Sequence, residues 1–504
     1  MRKTRTVPGV LLALAVGSGA LAIAPRFSHA DPPSGSPSPA GIAPVRPPTA
    51  GLPIQAPTLA IERYTLPNGL EVILHEDHRA PLTSVNIWYH VGGKDEPQGR
   101  NGFAHLFEHL MFQGSRHVPE DTFFLNLERI GASGINGTTG DDRTNYFETV
   151  PSGRLNLALW LESDRMAYLL DHVDQETFES QRRVVLNERR QSYENAPYGN
   201  VYRYLREAMY QPTHPYYRLP IGTPEDLNAA TLEDVRNFFR TWYVPNNATL
   251  VITGDIDVAA TRQLVEQYFG PISRGHDVPR RPPPGEVTVP REARIAVEAG
   301  VELPRVYISW PTPAFYAPGD AELDLVANVL TTGRSSRLYH RLVHEMQIAQ
   351  DVEAGQSSLQ LGSTFDITVT ARPGHTPEEI LGVVDEELAR LRREPPSIDE
   401  LLRARTDVLT SMVFDLERVG SRADRLNRYA QYVQDPNYLS RDLERYQRPS
   451  PETIMQTANR YLPADRRIVL MVYPTPGAPL AGRIRGQASS APAPTVSAPS
   501  GGAR

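Results

Sequence analysis

The chain has 504 residues, 40% hydrophobic and 22% charged, proportions that fit a globular protein and exclude a fibrous or wholly disordered one. Its length exceeds one ordinary core, so two or three domains are expected. A formal charge of −7 lacks the footprint of a nucleic-acid binder, and the complete lack of cysteine excludes disulfide frameworks, thiolate catalysis and a lipid-modified cysteine anchor.

At the start, Arg2, Lys3 and Arg5 precede an apolar run from Val7 to Ala24, and Ser28-His29-Ala30 ends in the small-residue pattern of a cleavage site. Residues 1–30 are read as a signal peptide rather than an anchor, the run being short and glycine-containing for a spanning helix. Their removal takes away four basic side chains and no acidic one, moving the charge from −7 to −11. A periplasmic or secreted protein with no stable membrane span is the expectation. Residues 31–57, rich in Pro, Ser, Gly and Ala, read as a linker with too little apolar surface to order itself.

The folded part begins near residue 58. Val85 to Val91 reads as a strand, and Asn101-Gly102 reads as a turn or cap before the largely apolar helix that holds His105-Leu106-Phe107-Glu108-His109. Positions 105 and 109 are i and i+4, and 108 lies on the same side, so two imidazoles converge beside a carboxylate. Metal ligation gives such groups a reason to be buried. Catalytic zinc takes three protein ligands and a water, and the best third candidate is Glu188, in the helical-looking stretch from Val184 to Arg190, with Glu179 and Glu194 disfavoured by spacing. Glu108, free of the metal, would then be the general base. The close pairs His75/His78 and His340/His344 lack a convergent third ligand and read as surface or packing residues.

Between the helices, Ile135 to Gly140 and Thr144 to Val150 read as two strands joined by a turn, and Thr249 to Ile252 as a buried last strand. The run Arg280-Arg281-Pro282-Pro283-Pro284-Gly285 breaks the pattern, which sets a first domain at 58–275, a linker at 276–293 and a second domain at 294–475. The second half repeats the plan, with strand-like Val306 to Trp310 and Arg467 to Val472. Where the first half has its histidines, the second has Leu323-Asp324-Leu325-Val326-Ala327-Asn328, so only one metal site per chain is expected. Residues 476–504 read as a disordered tail.

The inverted H-x-x-E-H motif and the glutamate some 80 positions later (Glu188), with Arg100-Asn101-Gly102-Phe103-Ala104 and Met111-Phe112-Gln113-Gly114-Ser115 around the motif, resemble the M16 (pitrilysin-like, inverzincin) zinc metallopeptidases, especially their bacterial processing-peptidase-like branch. Tyr64 to Leu70, His214-Pro215-Tyr216, Tyr243 to Ala248 and Ile252 to Asp255 extend the likeness over nearly the whole mature chain. The resemblance implies an α+β fold of two tandem homologous α/β-roll domains, one Zn2+ held by His105, His109 and Glu188, and hydrolysis of peptide bonds in extended peptides or unfolded proteins. It implies that Asn136, Gly137 and Thr138 lie on an edge strand that pairs with substrate, Gly137 standing where relatives usually have Ala. Gln181 occupies the place of a second glutamate in many relatives and is read as a hydrogen-bond partner behind the ligands.

Relatives that work alone carry an Arg and a Tyr in the second half where this chain has Val343 and Gln350. Three readings follow: a heterodimer with a homologous subunit carrying that pair (a homodimer being the variant), local substitutes from Arg337 or Arg341 with Tyr339, or a catalytically weak zinc- and peptide-binding assembly subunit. The heterodimeric enzyme is preferred because His105, Glu108, His109 and Glu188 are all retained.

Overall fold

The computed structural model describes residues 57–486, so the expected signal peptide and nearly all of the 31–57 linker lie outside the described residues, as does the chain from 487 onward. The first half runs β1 (Ile61–Thr65), β2 (Glu71–Glu76), β3 (Leu82–Tyr89), α1 (Phe103–Leu110), α2 (Phe123–Arg129), β4 (Ser133–Thr139), β5 (Thr144–Pro151), α3 (Leu155–Tyr168), α4 (Gln175–Arg189), α5 (Val201–Met209), α6 (Pro224–Ala229), α7 (Leu232–Trp242), β6 (Ala248–Gly254) and α8 (Val258–Phe269). The second runs β7 (Ala293–Ala299), β8 (Arg305–Thr312), α9 (Asp320–Thr331), β9 (Ala349–Ser357), β10 (Ser363–Ala371), α10 (Pro377–Arg393), α11 (Ile398–Asp415), α12 (Val419–Val433), α13 (Leu439–Gln447), α14 (Pro451–Tyr461), β11 (Ile468–Pro474) and β12 (Arg483–Ile484).

The strands form two mixed six-stranded sheets, β1-β2-β6-β3-β5-β4 and β12-β7-β11-β8-β10-β9, each with one parallel pair (β2/β6 and β7/β11). Helices α1 and α9 follow β3 and β8 at corresponding places, so the fold is the expected α+β pair of homologous domains. Each sheet packs one apolar face on its own helices. Val85, Ile87 and Tyr89 point into the core under α1, while Val306, Ile308 and Trp310 do the same under α9.

The other faces are covered by exchange between the halves. Helix α12, from the second half, lays Ala423, Leu426 and Ala430 on Ile73 and Val251 of the first sheet, and Asn427 Nδ2 donates to Asn86 O at 3.0 Å. Helix α5, from the first half, lays Val201, Tyr204 and Leu205 against Ile468, Leu470 and Val472 of the second. The break at 276–293 therefore separates the sheets but not their layers. It is itself pinned, since Arg281 Nη2 donates to Glu96 O at 2.9 Å.

The first residues of the segment read as a tail from 476 make ordered contacts. Arg483 and Ile484 pair with Glu298 and Val297 of β7, and the carbonyls of Leu480 and Ala481 accept the N–H groups of Tyr198 and Asn200, both at 3.0 Å. These are backbone contacts, which a segment without apolar alternation makes as readily as any other. Among the described residues, no helix is long and apolar enough to cross a membrane.

Candidate metal centre

Helix α1 starts where Gly102 takes φ 99°, a left-handed conformation favouring glycine, and a Cβ there would meet Gly222 Cα at 2.7 Å. No side chain of residue 102 can cap the helix, and Glu96 does so instead. Its Oε2 accepts from Gly102 N (2.9 Å) and Asn101 Nδ2 (2.7 Å), and its Oε1 from Ala104 N (2.9 Å). Burial pushes the Glu96 pKa up to about 8 against the pull of these three donors. Sequence reasoning missed this residue, whose cap is made across a loop. Replacing Glu96 with Ala leaves buried N–H groups of α1 unpaired, and urea unfolding should show a loss of about 1–3 kcal/mol.

All eight residues of α1 are buried, including His105, Glu108 and His109. Helix α4, capped by Asp174 on Thr177 N at 2.9 Å, brings Glu188 opposite them. Glu188 Oε2 lies 3.2 Å from His109 Nε2 and Oε1 lies 3.7 Å from His105 Nε2. One ligand atom from each residue falls within 4.8 Å of the others, the one such group among the described residues. His109 Nε2 and both Glu188 oxygens have no hydrogen-bond partner. Donor atoms that converge and leave one another unsatisfied fit a cation: metal bonds near 2.1 Å in a tetrahedron place ligand atoms about 3.4 Å apart.

Burial, reinforced by the charge of His109, lowers the His105 pKa to about 3, so its imidazole is neutral and available as a ligand. Burial works to raise Glu188, but the closeness of the His109 and His105 imidazoles outweighs it and holds the carboxyl below its ordinary range. Glu108 is raised by burial, against the pull of Thr139 and His109. Directly after α4 the chain makes a π-helical turn, Arg190–Glu194, whose Tyr193 joins the lining of the cavity beside the ligands.

Thr139, which sequence reasoning also missed, donates from Oγ1 to Glu108 Oε2 at 2.6 Å. That bond fixes one carboxylate oxygen and leaves the other toward the cavity. A Thr139→Val change should lower peptide turnover about 10-fold with zinc content unchanged, while Thr139→Ser retains activity, the loss matching one hydrogen bond to a charged group. Gln181 is buried on α4 two turns before Glu188, and its amide makes no hydrogen bond to the three ligand residues.

The expected substrate strand is β4, a free edge of its sheet. Gly140 N donates to Arg143 O at 2.9 Å, closing the turn, and Asn136, Gly137, Thr138 and Thr139 face Phe147, Tyr146, Asn145 and Thr144. By antiparallel alternation, Gly137 and Thr139 turn their backbone N–H and C=O to the open side, and Asn136 and Thr138 turn theirs to β5. Asn136 Oδ1 meanwhile accepts from Gly137 N at 2.9 Å. A Cβ on Gly137 would press Glu108 Cγ and Phe112 Cε2 at 3.0 Å, so glycine leaves the Glu108 side chain room.

A cavity of about 500 Å³ joins Glu108, Glu188 and Thr139 to second-half residues including Phe315, Asp324 and Tyr432. Val343 packs on the second-half core and Gln350 is exposed on β9, and neither lines this cavity. The proposed local substitutes do not reach it either. Arg337 is held by Glu400 (2.7 and 3.1 Å), Arg341 by Glu386 and Glu387, and Tyr339 packs on the core. The pairs His75/His78 and His340/His344 gather no third ligand: His78, for one, bonds Asp255 and Glu76, each at 2.6 Å.

Residues 71–219 match the model of "Insulinase (Peptidase family M16)" and residues 229–408 that of "Peptidase M16 inactive domain". Among curated proteins, the zinc protease PqqE of Helicobacter pylori is 28% identical over 378 residues, covering 74% of this chain and 83% of that protein. The zinc protease YmxG of Bacillus subtilis is 24% identical, covering 72% and 87%. A protease from Helicobacter pylori of known crystal structure superposes with TM-score 0.77 at 25% identity over 82% of this chain and all of that one. The periplasmic protease PqqL from Escherichia coli shares the fold, with TM-score 0.69 at 18% identity over 84% of this chain and 48% of its own length. With both halves matched by the family's models and a run of zinc proteases among its relatives, the chain belongs to the M16 peptidase family.

Proposed function

We propose that this protein is an exported zinc-dependent endopeptidase that cuts extended peptides or unfolded proteins and forms the metal-bearing subunit of a heterodimer. The observation that carries this reading is the convergence of His105, His109 and Glu188, with Glu108 beside them and the free edge of β4 alongside. One zinc per chain, held by those three residues, would supply Lewis acidity to polarise a peptide carbonyl and lower the pKa of a water. Glu108 takes the proton of the attacking water and returns it to the leaving amine, and Thr139 keeps it aimed. β4 holds the substrate extended by pairing through the backbone of Gly137 and Thr139, with Asn136 swinging off the Gly137 N–H. The N-terminal segment, read as a signal peptide, supports export to the periplasm.

The heterodimer is supported by the two positions where relatives carry the Arg and Tyr pair. Val343 and Gln350 stand there and lie outside the cavity, Arg337 and Arg341 are committed to carboxylates, and the arginines that do line the cavity, Arg143, Arg206 and Arg428, come from other elements, so a second, homologous chain is read as the source of the pair. The same facts support a second reading, a weakly catalytic zinc- and peptide-binding assembly subunit. Peptidase assays on a mixed peptide pool, with the mature chain alone and with a homologous chain carrying the pair, decide between them. Cleavage that needs both chains is the expected result. Bound zinc with no cleavage in either condition would establish the second reading.

A further inference from the structure

Three arginines line the cavity, and two are neutralised. Arg206 holds Asp141 through two bonds (2.7 and 2.6 Å) and Arg428 holds Asp424 at 3.1 Å. Arg143, at the end of the β4–β5 turn, has no carboxylate partner among the described residues. Its neighbour Asp142 is already taken, accepting from Tyr216 Oη (2.5 Å), Gln360 N (2.8 Å) and Tyr432 Oη (3.2 Å).

Arg143 is nevertheless held in place. Its Nη1 donates to Thr138 O (2.9 Å), to Thr138 Oγ1 and to Asn145 Oδ1 (2.8 Å), and its guanidinium stacks over the Trp88 ring, 5.0 Å from the centroid. Among the described residues, Nε and Nη2 have no hydrogen-bond partner. This is an anchored cation in the cavity wall with donors to spare, a state that fits recognition of an anion better than support of the fold.

The sheet defines what could reach it. Side chains on β4 and β5 alternate: Thr139, Tyr146 and the missing Cβ of Gly137 face α1 and Glu108, whereas Thr138, Arg143 and Asn145 face α12. A peptide strand added to the β4 edge would alternate in the same way. With a rise of about 3.3 Å per residue, a side chain turned toward α12 within one or two positions of the bond facing Glu108 arrives beside Arg143. Of the second-half carboxylates that line the cavity, Asp324 is pushed up to about 7 by burial and by Asp320, and burial raises Asp366 as well.

We infer that Arg143, supported by Trp88, is a specificity-determining residue that binds a carboxylate of the substrate on the α12-facing side of the peptide, close to the scissile bond. The carboxylate is that of an Asp or Glu side chain or of the substrate's C-terminus. This rests on the peptidase reading above.

The test uses the full chain loaded with zinc and carrying Glu108→Gln, so that peptides are not consumed. An N-acetylated, C-amidated nonapeptide of neutral residues is scanned with one Glu or Gln at each position, and a second set ends in a free carboxylate at each length. In one register the Glu peptide should bind about 10-fold or more tighter than its Gln counterpart, the scale of a charge-assisted bond. A gain confined to the free-acid set would identify the C-terminus as the source. Either gain should fall to parity in Arg143→Gln and be largely kept in Arg143→Lys. Binding that is flat across both sets, or a preference that survives Arg143→Gln, would overturn the inference alone. If no peptide binds, it falls together with the peptidase reading, which is judged separately by cleavage with Glu108 intact.

Discussion

Replacing Glu108 with Gln should reduce peptide turnover by about 10²–10⁴-fold while leaving zinc content and the fold intact, the loss typical of a removed general base. The change keeps the shape of the side chain, and the amide oxygen can still accept from Thr139 Oγ1, which now lies 2.6 Å from the carboxylate. Glu108 is not among the converging ligand atoms, so metal content, read by elemental analysis of the purified variant, should match that of the parent. Nor should stability fall. The carboxyl is buried and its pKa is raised chiefly by that burial, so the neutral amide removes an unfavourable desolvation and the melting temperature should hold or rise. Activity retained within 10-fold would mean that another group takes the proton.

The site was more legible in the sequence than its surroundings. His105, Glu108 and His109 obey a fixed helical spacing, and a helix needs few neighbours to bring i and i+4 together. The hairpin of β4 and β5 was also readable, because its alternation and turn are local. Thr139 was not, since its role depends on the pleat of β4 setting it against α1 rather than on anything nearby in the chain. Glu96 was hidden because it caps α1 in place of a residue that, being Gly102, has no side chain. The exchange of α5 and α12 is a longer-range case. An apolar stripe such as Ala423, Leu426 and Ala430 says that one helical face is buried, but not that the burying sheet comes from the other half. Asn427, 341 positions from its partner Asn86, has no local signal at all.

Glu188 tests whether the cluster exists for a metal or for the fold. In Glu188→Ala, zinc affinity should drop about a thousandfold or more, because two imidazoles remain where catalytic zinc takes three protein ligands. Peptide cleavage should vanish with it. Chelation should inactivate the parent reversibly, with activity returning on addition of zinc, and the same addition should not restore the variant. The sharper measurement is thermal unfolding with and without zinc. A ligand at 100 times its dissociation constant stabilises the native state by about 2.7 kcal/mol, so the parent should melt higher with zinc and the variant should not. In the absence of metal the order is expected to even out or invert. Both Glu188 oxygens and His109 Nε2 are buried without hydrogen bonds, and a buried polar atom left unpaired costs about 1–3 kcal/mol. Removing the carboxylate relieves part of that cost. A metal-free variant much less stable than the metal-free parent would instead make Glu188 a structural residue paired to His109 across 3.2 Å, with the metal incidental. The geometry favours the metal: one ligand atom from each of the three side chains lies within 4.8 Å of the others, an arrangement that a cation between them would satisfy at all three.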